Sequence, residues 1–233
     1  MPLALDKLTP PTPCDETELA QRFLASACES VNGVLASLDT VRGTRSGASG
    51  GQPRGRLSGS EEDLLRAAVL FGCAGLDATL KQVIRDALPG LLQVSGQAHE
   101  KFEIFVTQQI SLGEGADPAK IAKILTSANP RADLIEQYIR SLTGSSLQSA
   151  EEVDRTCGAL GIADGKLRKR AASMRDVFRT RNEISHELDL QKTEKRGDRS
   201  RRSRSMSSVT KVSHEALEVG QLVLNGVAIL LHP

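Results

Sequence analysis

The sequence predicts an all-α protein, a multi-helix bundle joined by long charged loops, and three observations carry that prediction. Aromatic residues make up 3% of the chain, with no Trp and a single Tyr, so the core must be assembled from Leu, Val, Ile and Ala, a palette suited to helix packing. Apolar residues recur three and four positions apart, the period of a helix face. No stretch alternates apolar and polar residues in the way a half-buried strand requires.

After a flexible, proline-rich leader at 1–15, residues Leu19, Phe23, Ala27, Val31, Val34, Leu35 and Leu38 share one helical face, which predicts a first helix over 16–41. The following RGTRSGASGGQPRGRLSGS is dense in Gly and Ser and predicts a flexible loop at 42–59, with Arg42, Arg45, Arg54 and Arg56 along it. Ser60 with Asp63 reads as a capping box opening a helix over 61–88. Its stripe is Leu65, Val69, Leu76, Leu80, Val83 and Ile84, and Pro89 with Gly90 should stop it. Shorter helices are predicted over 99–111, 118–127 and 132–142, with Pro118 in a favoured first-turn position, and another begins at Ser149 with Glu152. Asp164 caps a long helix over 166–188, EKRGDRSRRSRSMSS breaks every periodicity as a basic loop at 191–208, and a last helix covers 214–231. One domain over 16–233 accommodates all of these.

A net charge of +1 excludes a global basic field, so affinity for nucleic acid must come from local clusters. Cys14, Cys28, Cys73 and Cys157 show no CxxC spacing, which points to free thiols in a reducing, cytoplasmic compartment. The N-terminus lacks the basic and apolar regions of a secretory signal. The C-terminal VGQLVLNGVAILL is interrupted by Gly220, Gln221, Asn225 and Gly226 and falls short of the roughly 20 apolar residues of a membrane span. It reads as a core helix, and no membrane partner is expected. With His99, His214 and His232 scattered and no HExxH, neither a metal nor another cofactor is expected.

Residues 181–186 read RNEISH. On a helical wheel Met174, Val177, Phe178, Ile184 and Leu188 form the buried arc, Arg181 projects into the middle of it, and Asn182 and His186 share the edge of the polar side. A guanidinium aimed at a core needs a partner. Asp77, on the margin of the stripe of the 61–88 helix, is the expected one, supporting Arg181 beside His186. Arginine next to histidine suits phosphodiester chemistry: imidazole can move a proton near neutrality, and the planar guanidinium clamps phosphate as its charge grows. Asn182 can orient either group.

The segments LRAAVLFGCAGLDATLKQVIRDALP and RNEISHELD, followed by the apolar C-terminal helix, resemble the HEPN superfamily of small helical domains, of the kind found in RiboL-PSP-HEPN-like proteins, with Arg181 and His186 matching its R-x4-6-H motif. The resemblance covers about two-thirds of the chain by element. It implies a HEPN-like bundle acting as a metal-independent endoribonuclease, in which two protomers of a homodimer join their motifs into one composite cleft. His186 would be the general base or acid, Arg181 would hold the phosphate and Asn182 would support both. The implied partners are RNA and an antitoxin or sensor protein, in a toxin–antitoxin, antiviral defence or stress-response setting. The chain departs from the family in its Gly-rich insertion before residue 60 and in the loop after Leu190. Arg196, Arg199, Arg201 and Arg202 in that loop are candidate contacts for the RNA backbone. The alternative is a catalytically inactive HEPN-like module that binds a protein or a nucleotide.

Overall fold

Helix α1 (Asp15–Ala48) buries Ala20, Leu24, Ala27, Val31, Leu35 and Leu38, a four-and-three spacing that keeps one seam on the core from Ala20 to Leu38. At its start the seam runs through Ala20 and Leu24, whereas Leu19 and Phe23 are 43% and 41% exposed and do not form the face predicted for them. These elements come from a computed structural model that describes residues 14–48, 56–112, 115–116, 118–191 and 200–232. Residues 1–13 of the leader and 49–55 of the Gly/Ser/Arg-rich stretch lie outside the described residues.

The first part of the loop predicted at 42–59 is instead helical through Ala48. Its last turns are tied down: Arg42 Nη1 reaches Met206 Sδ at 2.8 Å, and Arg45 pairs with the buried Glu61 carboxylate at 2.9 Å. Those contacts outweigh the weak helix preference of Gly43 and its neighbours.

Helix α2 (Gly59–Val94) is capped by Ser58, not Ser60: Ser58 Oγ accepts from Glu61 N at 3.3 Å while Glu61 Oε2 accepts from Ser58 N at 2.6 Å, a complete capping box. The predicted stripe is buried throughout. The helix also continues past Pro89 and Gly90, because Leu88, Leu91 and Leu92 are all buried across that point. Burying each is worth roughly 1.5–3 kcal/mol, enough to offset a proline's cost of about 3 kcal/mol.

Helix α9 (Met206–Leu231) starts before the predicted position, capped by Ser205, and packs beside α2 with α1 against both. Gln21 bonds Gln221 and Arg42 reaches Met206, so α1 and α9 are antiparallel; Ser213 bonds Ala68 O and Gly90 meets Leu231, so α2 and α9 are parallel. Both α2 and α9 are long and apolar enough to pass a compositional test for a membrane span, and half of each tested window is buried within the bundle.

Around this trio run α3 (Gly96–Ile110), α4 (Pro118–Leu125), α5 (Pro130–Thr143), α6 (Ala150–Ala159), α7 (Gly165–Ser173) and α8 (Arg175–Glu187). Two-residue strands β1 (Ser111–Leu112) and β2 (Gly115–Ala116) pair antiparallel between α3 and α4. Phe102 and Phe105 of α3 pack on Tyr138 of α5 with ring centroids 5.6 and 4.8 Å apart. Ser149 caps α6 through Glu152 N as predicted. The helix predicted over 166–188 is divided at the buried Met174, where a tight turn from Met174 N to Ala171 O separates α7 from α8. Among the described residues, the buried apolar side chains form one continuous core.

Candidate functional site

Helix α8 lays Val177, Phe178 and Ile184 into the core, which turns 182 and 186 outward and leaves 181 at the boundary. Arg181 Nη1 then donates to Asn182 Oδ1 at 2.9 Å and meets His186 Nε2 at 3.1 Å. The three residues singled out in the sequence therefore meet in one cluster. Because a guanidinium only donates, Nε2 is the acceptor of this contact, which requires the tautomer with the ring proton on Nδ1.

Asp77 does not join that cluster. Its Oδ1 accepts from Leu147 N at 2.6 Å and its Oδ2 pairs with Lys81 at 2.9 Å, so it pins the loop before α6 onto α2 instead of holding Arg181. The α2 side chain that senses the Arg181 charge is Cys73, one turn earlier, whose thiol is pushed up to about 12 by burial with the guanidinium partly offsetting that rise. Asp77→Ala is accordingly expected to cost about 1.5–3 kcal/mol of stability, the worth of a carboxylate bond to a backbone N–H. Chemical denaturation should show this loss.

The feature that sequence reasoning missed lies at the end of α8. Leu188 and Asp189 both adopt left-handed backbone, with φ of 51° and 58°, and Asp189 N bonds Glu183 O at 2.8 Å to close the helix. Leu188, predicted in the buried arc, is thereby turned out and is 66% exposed. Asp189 is 0% exposed. Arg66 Nε donates to its Oδ2 at 2.8 Å and Arg204 Nε donates to the same oxygen at 2.9 Å, with Arg204 Nη2 on Oδ1. Arg66, itself buried, also bonds Glu62, Asp63 and the Arg202 carbonyl. Burial alone would push the Asp189 carboxyl up, but hydrogen bonds from Arg204 and Arg66, with their charges, leave it below the ordinary carboxylate range.

This network extends into the basic loop. Arg201 pairs with Asp63 at 2.6 Å and donates to Leu188 O; Arg202 donates to Leu190 O and lies within 4.0 Å of Glu183, Glu187 and Asp189. These pairs hold residues 200–205 against α2 and α8, while the Arg201 and Arg202 side chains stay partly exposed. Arg196 and Arg199 lie outside the described residues. A hint was present in the sequence: the acidic EED at 61–63 and ELD at 187–189 are complementary to this run of arginines.

Between the start of α6 and α8 opens a cleft of about 440 Å³, where Ser149, Phe178 and Asn182 stand among the cations Arg175, Arg179 and Arg202 and the acids Glu151, Glu183 and Glu187. Arg175 and Arg179 are largely exposed, in surface pairs with Glu151 at 3.6 Å and Asp176 at 2.8 Å. Such pairs are worth only about 0–1 kcal/mol and yield readily to a phosphate. Far from this site, Cys14, Glu16 and His232 bring their donor atoms within 4.8 Å of one another. Comparisons of the chain with protein-family models, curated proteins and solved structures return no match.

Proposed function

We propose that this protein is a metal-independent RNA endonuclease of the HEPN type, acting as a homodimer. The observation that carries the reading is the exposed cluster in which one Arg181 nitrogen bonds both Asn182 and His186. In that resting arrangement the guanidinium occupies the imidazole lone pair. A phosphodiester offers the guanidinium two charged oxygens, a stronger match than a neutral ring nitrogen. Transfer of Arg181 to phosphate frees Nε2 to take the proton of a ribose 2′-hydroxyl. The 2′-oxygen then bonds to phosphorus, the bond to the 5′-oxygen breaks, and that oxygen leaves as a hydroxyl, giving a 2′,3′-cyclic phosphate. Its proton must come from an acid on the opposite side of phosphorus, a role for the imidazole of a second copy. Leu188 and Leu190 offer exposed apolar surface beside His186 for that copy.

The cations that fit the RNA backbone are Arg175, Arg179 and Arg202 along the cleft wall, with Arg201 beside Asp63 next to them in the chain. A nuclease of this kind must be restrained, which places an antitoxin or sensor protein in the same proposal, within a toxin–antitoxin, antiviral or stress-response system. A second reading, an inactive HEPN-like module binding a protein or nucleotide, draws on the same Arg181 bond if it never releases Nε2.

The test is incubation of purified protein with mixed RNA in excess EDTA. Wild type should cleave and leave 2′,3′-cyclic phosphate ends, and His186→Ala and Arg181→Ala should each lose about a hundredfold or more. Cleavage that persists in His186→Ala removes the mechanism; no cleavage by wild type leaves the binding module.

A further inference from the structure

At the end of the bundle where α1 begins and α9 finishes, residues from opposite ends of the sequence supply three different metal donors. They are the Cys14 sulfur, the Glu16 carboxylate and the His232 imidazole, all within 4.8 Å of one another. His232 Nε2 and Glu16 Oε2 stand 3.7 Å apart. Donor atoms around a tetrahedral zinc ion lie roughly 3.3–3.7 Å apart, given bonds of about 2.0–2.3 Å, so this pair stands at the upper end of that range and the sulfur lies within 4.8 Å of both. We propose that Cys14, Glu16 and His232 form a binding site for a zinc-class divalent cation that ties the start of α1 to the end of α9.

The backbone around the three donors is fixed. Thr17, itself buried, bonds back to Cys14 O through both its N–H, at 3.0 Å, and its hydroxyl, at 3.2 Å, and the same hydroxyl lies 3.0 Å from the Cys14 sulfur. Once the thiol has lost its proton, that hydroxyl can turn from the Cys14 carbonyl and donate to the sulfur instead. The His232 backbone N–H donates to Ala228 O at 2.9 Å, which holds the residue at the last turn of α9. Charge balances too: on binding, the thiol gives its proton to solvent, and thiolate and carboxylate together neutralise a divalent ion. Sulfur and imidazole select zinc or cobalt over magnesium and calcium, and three protein donors leave a fourth position for water. The other cysteines do not compete. Cys73 and Cys157 are buried, and burial together with Glu29 raises the Cys28 thiol.

The experiment is titration of the full chain with Co²⁺, followed by displacement with Zn²⁺. One equivalent should give a thiolate-to-cobalt charge-transfer band in the near ultraviolet. The band should vanish in Cys14→Ser, and affinity should fall at least about tenfold in His232→Ala and Glu16→Gln, as ligand loss requires. Zn²⁺ should raise Tm of wild type and leave that of His232→Ala unmoved. His232 and Glu16 lie at the surface, so their variants keep the fold even if Cys14→Ser does not. No band in wild type, or a band of unchanged affinity in His232→Ala, overturns the site. The readout does not involve RNA, so it stands or falls apart from the nuclease proposal.

Discussion

Asp189→Ala is expected to destabilise the protein by about 3–5 kcal/mol, the cost of removing one member of a buried, hydrogen-bonded ion network. The carboxylate is fully buried and receives both Arg66 and Arg204. Deleting it leaves two guanidinium groups with Glu62, Asp63 and Glu183 as remaining partners, but with no acceptor at the centre. Part of the loss is backbone strain, because alanine tolerates φ of 58° poorly whereas aspartate and asparagine adopt it readily. Asp189→Asn separates the two contributions: it keeps the left-handed preference and the shape while removing the charge. Urea denaturation should rank wild type above Asn above Ala, and equal stability of all three would show that the network contributes nothing.

The same residue sets a pH dependence whose sign follows from its lowered pKa. A carboxyl held below its unfolded value adds stability that is fully present above the unfolded carboxylate range and is lost as pH falls through the depressed value. Wild type should weaken through that acid window, and Asp189→Asn should flatten this limb of its stability curve. Because Asp189 closes α8 three residues after His186, its loss should also blunt any RNA cleavage.

Local periodicity revealed most of the helices, since a stripe such as Leu65, Val69, Leu76, Leu80, Val83 and Ile84 needs only neighbouring residues to be seen. What it could not reveal depends on residues distant in sequence. The continuation of α1 to Ala48 rests on Met206 and Glu61, and the passage of α2 through Pro89 rests on leucines buried by the rest of the bundle. The trio Arg181, Asn182 and His186 was legible because all three lie within two turns of one helix. Asp77 was misassigned because a helical wheel gives the direction of a side chain but not the register of the facing helix. Nothing local marks Asp189, because what gives it a role is Arg66, 123 positions away, converging on it with Arg204.

Gly75→Ala should show how tightly that hidden register is set. Alanine is the better helix former by about 1 kcal/mol, so in isolation the change would stabilise α2. In the bundle a β-carbon at 75 would stand 2.1 Å from the Ala27 β-carbon and 3.6 Å from its α-carbon, and a methyl group has no far end to swing aside. Helices α1 and α2 must therefore separate, opening the seam around Leu24, Val31 and Leu76. Overpacking of this kind costs roughly 1–3 kcal/mol and occasionally more, and the contact here is backbone-borne on both sides, so a net loss of about 2–3 kcal/mol is expected. Gly33→Ala is the control within α1: its β-carbon would meet nothing within 4 Å, and the same substitution there should stabilise by up to about 1 kcal/mol. The double variant Ala27→Gly with Gly75→Ala moves the methyl to the other helix and should recover most of the loss. If Gly75→Ala matched Gly33→Ala in sign, α1 and α2 would not approach as closely as the structure has them, and the packing that sets the long helices of the bundle would have to be redrawn.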